Sequence, residues 1–357
     1  MTIINQVDDA EFAALRRLSA KLGANPLLVQ GPGGNTSIKE NGTLWIKASG
    51  KWLAHAENDE LFVPVALQPL LEAIANNYPE AEKAEKFVIQ SLRAPQLRPS
   101  IETVVHALMP QRVVVHVHCV ETISQAVLTN AQTVIAERVR GLNYAFIPYN
   151  RPGLPLAKAI AERLKPGTDI LILGNHGLVV AAVSVAEAQL LLARVSQLLW
   201  RKPRSAPDAD EAALQRLALA SPYRFPANSR AHAAATDLVS CRIAAAGSLY
   251  PDHVVFLGAG SWIAGPKDTA ASIVENSLRG KSQPPVSILF PGKGVLMRQD
   301  AGAGADAMAH CLADVCSRID APSRVRYLNA REHGELLNWD AEKYRQELSR
   351  RDGAALQ

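Results

Sequence analysis

Apolar positions along the chain recur with two periods, and the changes between them lay out the elements. Residues 8–24, "DDAEFAALRRLSAKLGA", carry apolar side chains at helical spacing after an acidic start, which predicts an amphipathic helix ending near Gly23. "NTSIKENGTLWIKAS" instead holds two alternating runs joined by Asn41-Gly42, the pattern of a tight hairpin. Helical patterns follow at 65–77 and 80–93, and "RPSIETVVHALMP" predicts a short helix that starts near Pro99 and Ser100 and stops at Pro110. "RVVVHVHCV", residues 112–120, reads as a buried strand, 121–140 as helix, "NYAFIPY" as strand and "LPLAKAIAERLKP" as helix. "DILILGNHGLVVAAV" reads as strand, tight turn and strand, ahead of the long helix "SVAEAQLLLARVSQLLW".

Strands and helices that interleave in this way, with two hairpins among them, predict an α/β domain over residues 1–200. Its central sheet should be mixed or largely antiparallel, with helices packed on it. Residues 201–227 mix Pro, Ser and charge and read as a linker. Residues 228–357 supply further patterns, "HVVFLG" and "VSILF" as strands and "AGADAMAHCLADVCSRI" as helix, and predict a smaller C-terminal α/β lobe. That lobe echoes the first domain: "ILFPGKGVLM" and its following helix repeat the texture of "ILGNHGLVV", with Lys293 where the first copy has His176. If this is a degenerate repeat, it lacks that histidine.

Composition narrows the partners. The 357 residues carry 38 basic and 34 acidic side chains, a net charge of +4 without long single-sign runs, which speaks against a nucleic-acid or membrane surface. "MTIINQVDDAEF" lacks a basic flank followed by an apolar core, and no apolar run of about 18 residues occurs, so the chain is expected in the cytoplasm. Cys119, Cys241, Cys311 and Cys316 form no CxxC pair, so any metal must be held by nitrogen and oxygen.

Against that background two histidines inside an apolar strand stand out. Successive strand residues face opposite ways, so His116 and His118 share one face and can close on a single ion. A catalytic zinc usually takes three protein ligands, and His176, in the Gly-flanked turn of "LGNHGLVV", is the best third. Glu102, at the start of the helix just before that strand, can approach the same sheet edge, ligate the ion and act as general base. Each of these residues also has a plain structural reading, as a hydrogen-bonded imidazole or a first-turn acid. "VQGPGGNTSIK" offers amides of Gly33, Gly34 and Asn35 and hydroxyls of Thr36 and Ser37 as an anion cradle, and "KASGK" offers Ser49 and Gly50. Either stretch would serve equally as a turn that needs glycine. His106, four residues after Glu102, is expected to pack or hydrogen-bond on the same helix face. "FLGAGSWIAG" has Ile263 where a dinucleotide loop needs its third glycine.

In their order, "GGNTS", "KASG", "PSIET", "HVH" and "NHG" together resemble the class II aldolase/adducin head-domain family over residues 10–200. The resemblance implies a three-layer α/β/α fold, a divalent ion, most often zinc, on His116, His118 and His176, and Glu102 as acid/base residue. It implies further that Gly34, Asn35, Ser49, Gly50 and Ser100 hold the phosphate of a sugar phosphate, although Ile101 stands where phosphate-binding members often carry a serine. The C-terminal lobe, with "PDHVVFL" and the tail "LLNWDAEKYRQEL", resembles the aldolase half of bifunctional aldolase/short-chain dehydrogenase chains. The reaction implied is reversible retro-aldol cleavage of a ketose or ketose-1-phosphate through a metal-stabilised enediolate, in a homo-oligomer that is usually a tetramer. Epimerase and dehydratase members use the same metal site, the epimerases with Asp in place of Glu102; an adducin-like scaffold without catalysis is the alternative of another kind.

Overall fold

The computed structural model describes residues 9–92 and 97–340, so the tail from residue 341 on lies outside the described residues. The chain forms two compact units, Met1–Thr122 with Gln132–Trp200, and Ile123–Ala131 with Arg201–Gln357.

In chain order the first run of elements is α1 (Asp9–Gly23), β1 (Asn35–Glu40), β2 (Thr43–Lys47), β3 (Phe62–Ala66), α2 (Leu67–Ala75), α3 (Thr103–Leu108), β4 (Val113–Val117), α4 (Val120–Ala126), α5 (Ala131–Arg138), β5 (Tyr144–Ile147), α6 (Leu154–Ala161), β6 (Ile170–Leu173), β7 (Gly177–Ala182) and α7 (Val185–Leu198). The strands make one mixed sheet in the order β3-β2-β1-β4-β7-β6-β5, antiparallel throughout except for the parallel pair β5–β6. Asn41 and Gly42, both at positive φ, close the β1–β2 hairpin as their sequence requires. Helices cover both faces. On one, α1 and α7 pack against β1, β4 and β7. On the other, Leu70, Val104, Val105, Ala157 and Ile160 of α2, α3 and α6 meet Val114, Leu171, Val179 and Ala181 of the sheet.

Two expected helices differ. In place of the helix expected at 80–93, whose last residue lies outside the described residues, the chain forms short 3₁₀ turns at Pro79–Glu82, Ala84–Phe87 and Gln90–Leu92, because Val88 bridges to Val65 and the Ile89 amide donates to Pro64 O at 3.0 Å. Pairing with β3, itself absent from the sequence reading, overrides helix propensity here. Residues 121–140 divide into α4 and α5, because Leu128 bridges to Val325 and Thr129 N donates to Arg324 O.

The second run comprises α8 (Glu211–Ala218), β8 (Tyr223–Arg224), α9 (Ala233–Thr236), α10 (Leu238–Ala245), α11 (Pro251–Leu257), β9 (Trp262–Ile263), α12 (Ala270–Arg279), β10 (Ser287–Phe290), β11 (Gly294–Arg298), α13 (Ala303–Ser317) and α14 (Ala330–Leu337). Its sheet runs β8-β11-β10-β9, with β9–β10 parallel. Residues 201–227 are more than a linker: Asp210 caps α8, and Leu214 and Tyr223 are buried in this unit's core. "HVVFL" is helical, not a strand. Pro251 opens α11 and all seven of its residues are buried, and burial on every side erases the period that separates a short helix from a strand.

The hairpins β6–β7 and β10–β11 close in the same register, Leu173 opposite Gly177 and Phe290 opposite Gly294. Each turn holds a left-handed residue, Asn175 or Gly292, followed by His176 in one and Lys293 in the other. His176 is buried and Lys293 is exposed.

Candidate metal centre

β4 is paired on both sides, and His116 stands opposite Asn35 of β1 and Val179 of β7. All three share the face toward α3. The His116 Nδ1–H donates to Leu178 O at 3.1 Å, which fixes the tautomer and leaves the Nε2 lone pair toward the interior. His118 follows the last residue of β4 and is buried, its carbonyl accepting from Gln30 Nε2 at 3.3 Å. His176 is delivered by the β6–β7 turn. There the glycines are needed for close approach: a Cβ on Gly174 would meet Tyr149 N at 3.0 Å, and one on Gly177 would meet Val117 O at 2.5 Å.

Glu102 immediately precedes α3, where Ser100 Oγ accepts its amide at 3.2 Å. Its side chain is buried. Oε2 lies 3.3 Å from His116 Nε2 and Oε1 3.3 Å from His176 Nε2, while Asn35 Nδ2 donates to Oε2 at 2.8 Å. Burial alone would raise this carboxyl, but the fields of His116, His176 and His118 and the Asn35 hydrogen bond outweigh it and bring the group down to about 2. Donor atoms of Glu102, His116, His118 and His176 all lie within 4.8 Å of one another, and all four residues are buried. Imidazole nitrogen with carboxylate oxygen is a donor set that suits a zinc-like divalent ion, and the spacing fits one ion.

The residues expected to form an anion cradle include Gly34, which lies against the backbone of His116. Gly34, at φ 61°, packs so tightly that a Cβ would sit 3.1 Å from His116 O. Ser49 Oγ is buried and has no hydrogen-bond partner among the described residues, and Gly50 turns the chain at φ 74°. Lys47 ties these segments together. Its buried Nζ donates to Pro32 O at 2.7 Å and Gly34 O at 3.0 Å, and its carbonyl accepts from Ser100 N at 3.1 Å. Sequence reasoning passed over Lys47, because a lysine at the end of a strand usually reads as a solvated charge. The Asn35 side chain reaches Glu102 and His106, and His106 hydrogen-bonds as expected, to Asn35 and Ser37.

"FLGAGSWIAG" begins in the last two residues of α11, so a helix and not a strand leads into it. No described helix is long and apolar enough to cross a membrane.

Residues 12–199 match the family described as Class II Aldolase and Adducin N-terminal domain. A curated protein of Bacillus subtilis strain 168, "Uncharacterized oxidoreductase YuxG", is 32% identical over 171 residues, 44% of this chain and 24% of that protein. The chain thus spans about a quarter of the length of that curated relative, 24%. Among solved structures, the N-terminal class II aldolase domain of a conserved protein from Thermoplasma acidophilum is 26% identical with a TM-score of 0.48, covering 56% of this chain and 96% of that one. L-fuculose-1-phosphate aldolase from Thermus thermophilus is 18% identical with a TM-score of 0.36, covering 54% and 93%.

Proposed function

Because the chain belongs to the Class II Aldolase and Adducin N-terminal domain family, we propose that His116, His118 and His176 hold a zinc ion and that the protein cleaves a ketose or ketose-1-phosphate by a reversible retro-aldol reaction. The observation that carries this reading is the Glu102 carboxylate, buried and turned with one oxygen toward His116 and the other toward His176. A bound divalent ion supplies Lewis-acid stabilisation for negative charge developing on the substrate oxygens.

The chain's own residues do the rest. Glu102, held ionised and turned into the histidine cluster, is placed to take a proton from the nucleophilic carbon and return it. Burial of the whole cluster excludes water from the reacting atoms. The Gly34 and Asn35 amides and the Ser49 and Ser100 hydroxyls receive the phosphate, and the unpartnered Ser49 Oγ supports that assignment. A cytoplasmic homo-tetramer completes the reading.

The test is elemental analysis of the protein and of His116→Ala, beside a screen for aldehyde release from ketoses and ketose-1-phosphates. Near-stoichiometric zinc that disappears in the variant, with aldehyde release, supports the proposal. Absence of metal after reconstitution overturns it and leaves a scaffold, whereas metal with epimerase or dehydratase turnover redirects the reaction. Glu102→Gln should keep the metal and lose proton exchange at the nucleophilic carbon.

A further inference from the structure

A chain of hydrogen bonds leads from Glu102 into the layer between α3 and β1. Asn35 Nδ2 donates to Glu102 Oε2 at 2.8 Å, Asn35 Oδ1 meets His106 Nε2, and His106 Nδ1 lies 2.7 Å from Ser37 Oγ. All four residues are buried, none more than 5% exposed. The pattern arises because helix and strand meet twice: Glu102 and His106 are one helical turn apart, and Asn35 and Ser37 are alternate residues of one strand.

Chemistry fixes each direction along the chain. An ionised carboxylate only accepts, so the Asn35 amide must turn its nitrogen to Glu102 and its oxygen to His106. That oxygen only accepts, so His106 must carry its proton on Nε2. With Nε2–H given to Asn35, the buried ring turns its Nδ1 to the Ser37 Oγ at 2.7 Å.

We propose that His106 is a positioning residue which, acting through the Asn35 amide, holds the Glu102 carboxylate turned into the histidine cluster. Without the Nε2–H donor the Asn35 amide is free to rotate and present its oxygen to the carboxylate, which repels it from its place. The kinetic consequence rests on Glu102 carrying the proton; the hydrogen-bond chain itself does not.

Two measurements separate these parts. Long-range ¹H–¹⁵N spectra of the histidine-labelled protein, recorded without substrate, should show His106 as the Nε2–H tautomer, with that proton shifting upfield in Asn35→Ala. An Nδ1–H tautomer, or a signal indifferent to Asn35→Ala, overturns the proposal even if no substrate is ever found. In kinetics, His106→Leu should lower kcat for proton exchange by about 10- to 100-fold, the scale of outer-shell partners. KM and metal content should stay within about twofold, while His106→Gln, whose amide can reach the same Asn35 oxygen, restores most of the loss. In an Asn35→Ala background His106→Leu should cost nothing more. Losses that multiply, or a change confined to KM, refute the coupling. If His106→Leu does not fold, the His106 tautomer and its response to Asn35→Ala decide the proposal alone.

Discussion

Oε1 of Glu102 lies 3.3 Å from Nε2 of His176, although one comes from the residue before a helix and the other from a hairpin turn. With His116 from the next-to-last position of β4 and His118 from just past its end, three separate stretches of chain converge on one buried point. Each stretch is held there by backbone geometry, so the cluster should respond to changes in turns as well as to changes in ligands.

His176→Ala removes one of the three imidazoles. Affinity for Zn²⁺ should fall by more than about 100-fold, beyond the 10- to 100-fold that losing an outer partner costs. Competition against a chromophoric chelator measures it, and an unchanged affinity would exclude His176 as a ligand.

Gly177→Ala tests the turn. The new methyl would sit 2.5 Å from Val117 O and 3.3 Å from His116 Cε1, and a backbone carbonyl inside a sheet cannot step aside. The expected loss is about 1–3 kcal/mol of stability, the usual range for overpacking, together with weakened Zn²⁺ binding. Thermal melts with and without Zn²⁺ check both, and a variant as stable as the parent would refute the close approach.

Lys47→Met keeps the length of the side chain and removes its donors, leaving Pro32 O and Gly34 O without that hydrogen-bond partner. Leaving a buried acceptor unpaired costs about 1–3 kcal/mol, so chemical denaturation should show a loss of that size. Inorganic phosphate should bind more weakly while metal content stays the same. Calorimetric titration with phosphate decides the second part, and undiminished binding would detach Lys47 from the cradle.

How far the sequence foretold this arrangement follows from what each element depends on. His116, His118, Glu102 and His176 were legible because strand alternation, a helix start and a Gly-flanked turn are local patterns, and local patterns survive folding. The β1–β2 hairpin was legible for the same reason. Residues 79–92 were not, since Ala, Glu and Lys promise a helix while Val88 and Ile89 bond to β3, a partner that only tertiary structure supplies. α11 was hidden by complete burial, and α8 by a Pro- and charge-rich context around its buried Ala213 and Leu214. The Asn35–His106 contact was foreshadowed only by two periodicities, four along α3 and two along β1, that must be read together.

The second unit should carry an acid-sensitive group. His253 in α11 is wholly buried, and burial, with His333 nearby, takes its ring down to about 3. Its value in an unfolded chain is near 6.5. Between those values the unfolded chain binds a proton that the native ring refuses, so stability is full above pH 6.5 and declines as pH falls toward 3. The slope attributable to one such group is at most about 1.4 kcal/mol per pH unit. The lowered His333 acts in the same direction. Denaturation between pH 7.5 and 4.5 should show this decline, and His253→Asn should flatten it; parallel curves would clear His253 of the effect.

The paired hairpins of β6–β7 and β10–β11 carry a lesson for transplantation. One delivers an imidazole into a buried cluster and the other an ammonium into water, from turns with the same closing register. The turn therefore dictates where a side chain leaves the backbone, and its surroundings dictate what that side chain becomes. Grafting residues 170–182 into a foreign sheet would move the turn and leave the other members of the cluster behind; the smallest portable piece includes β1, α3 and β4 as well.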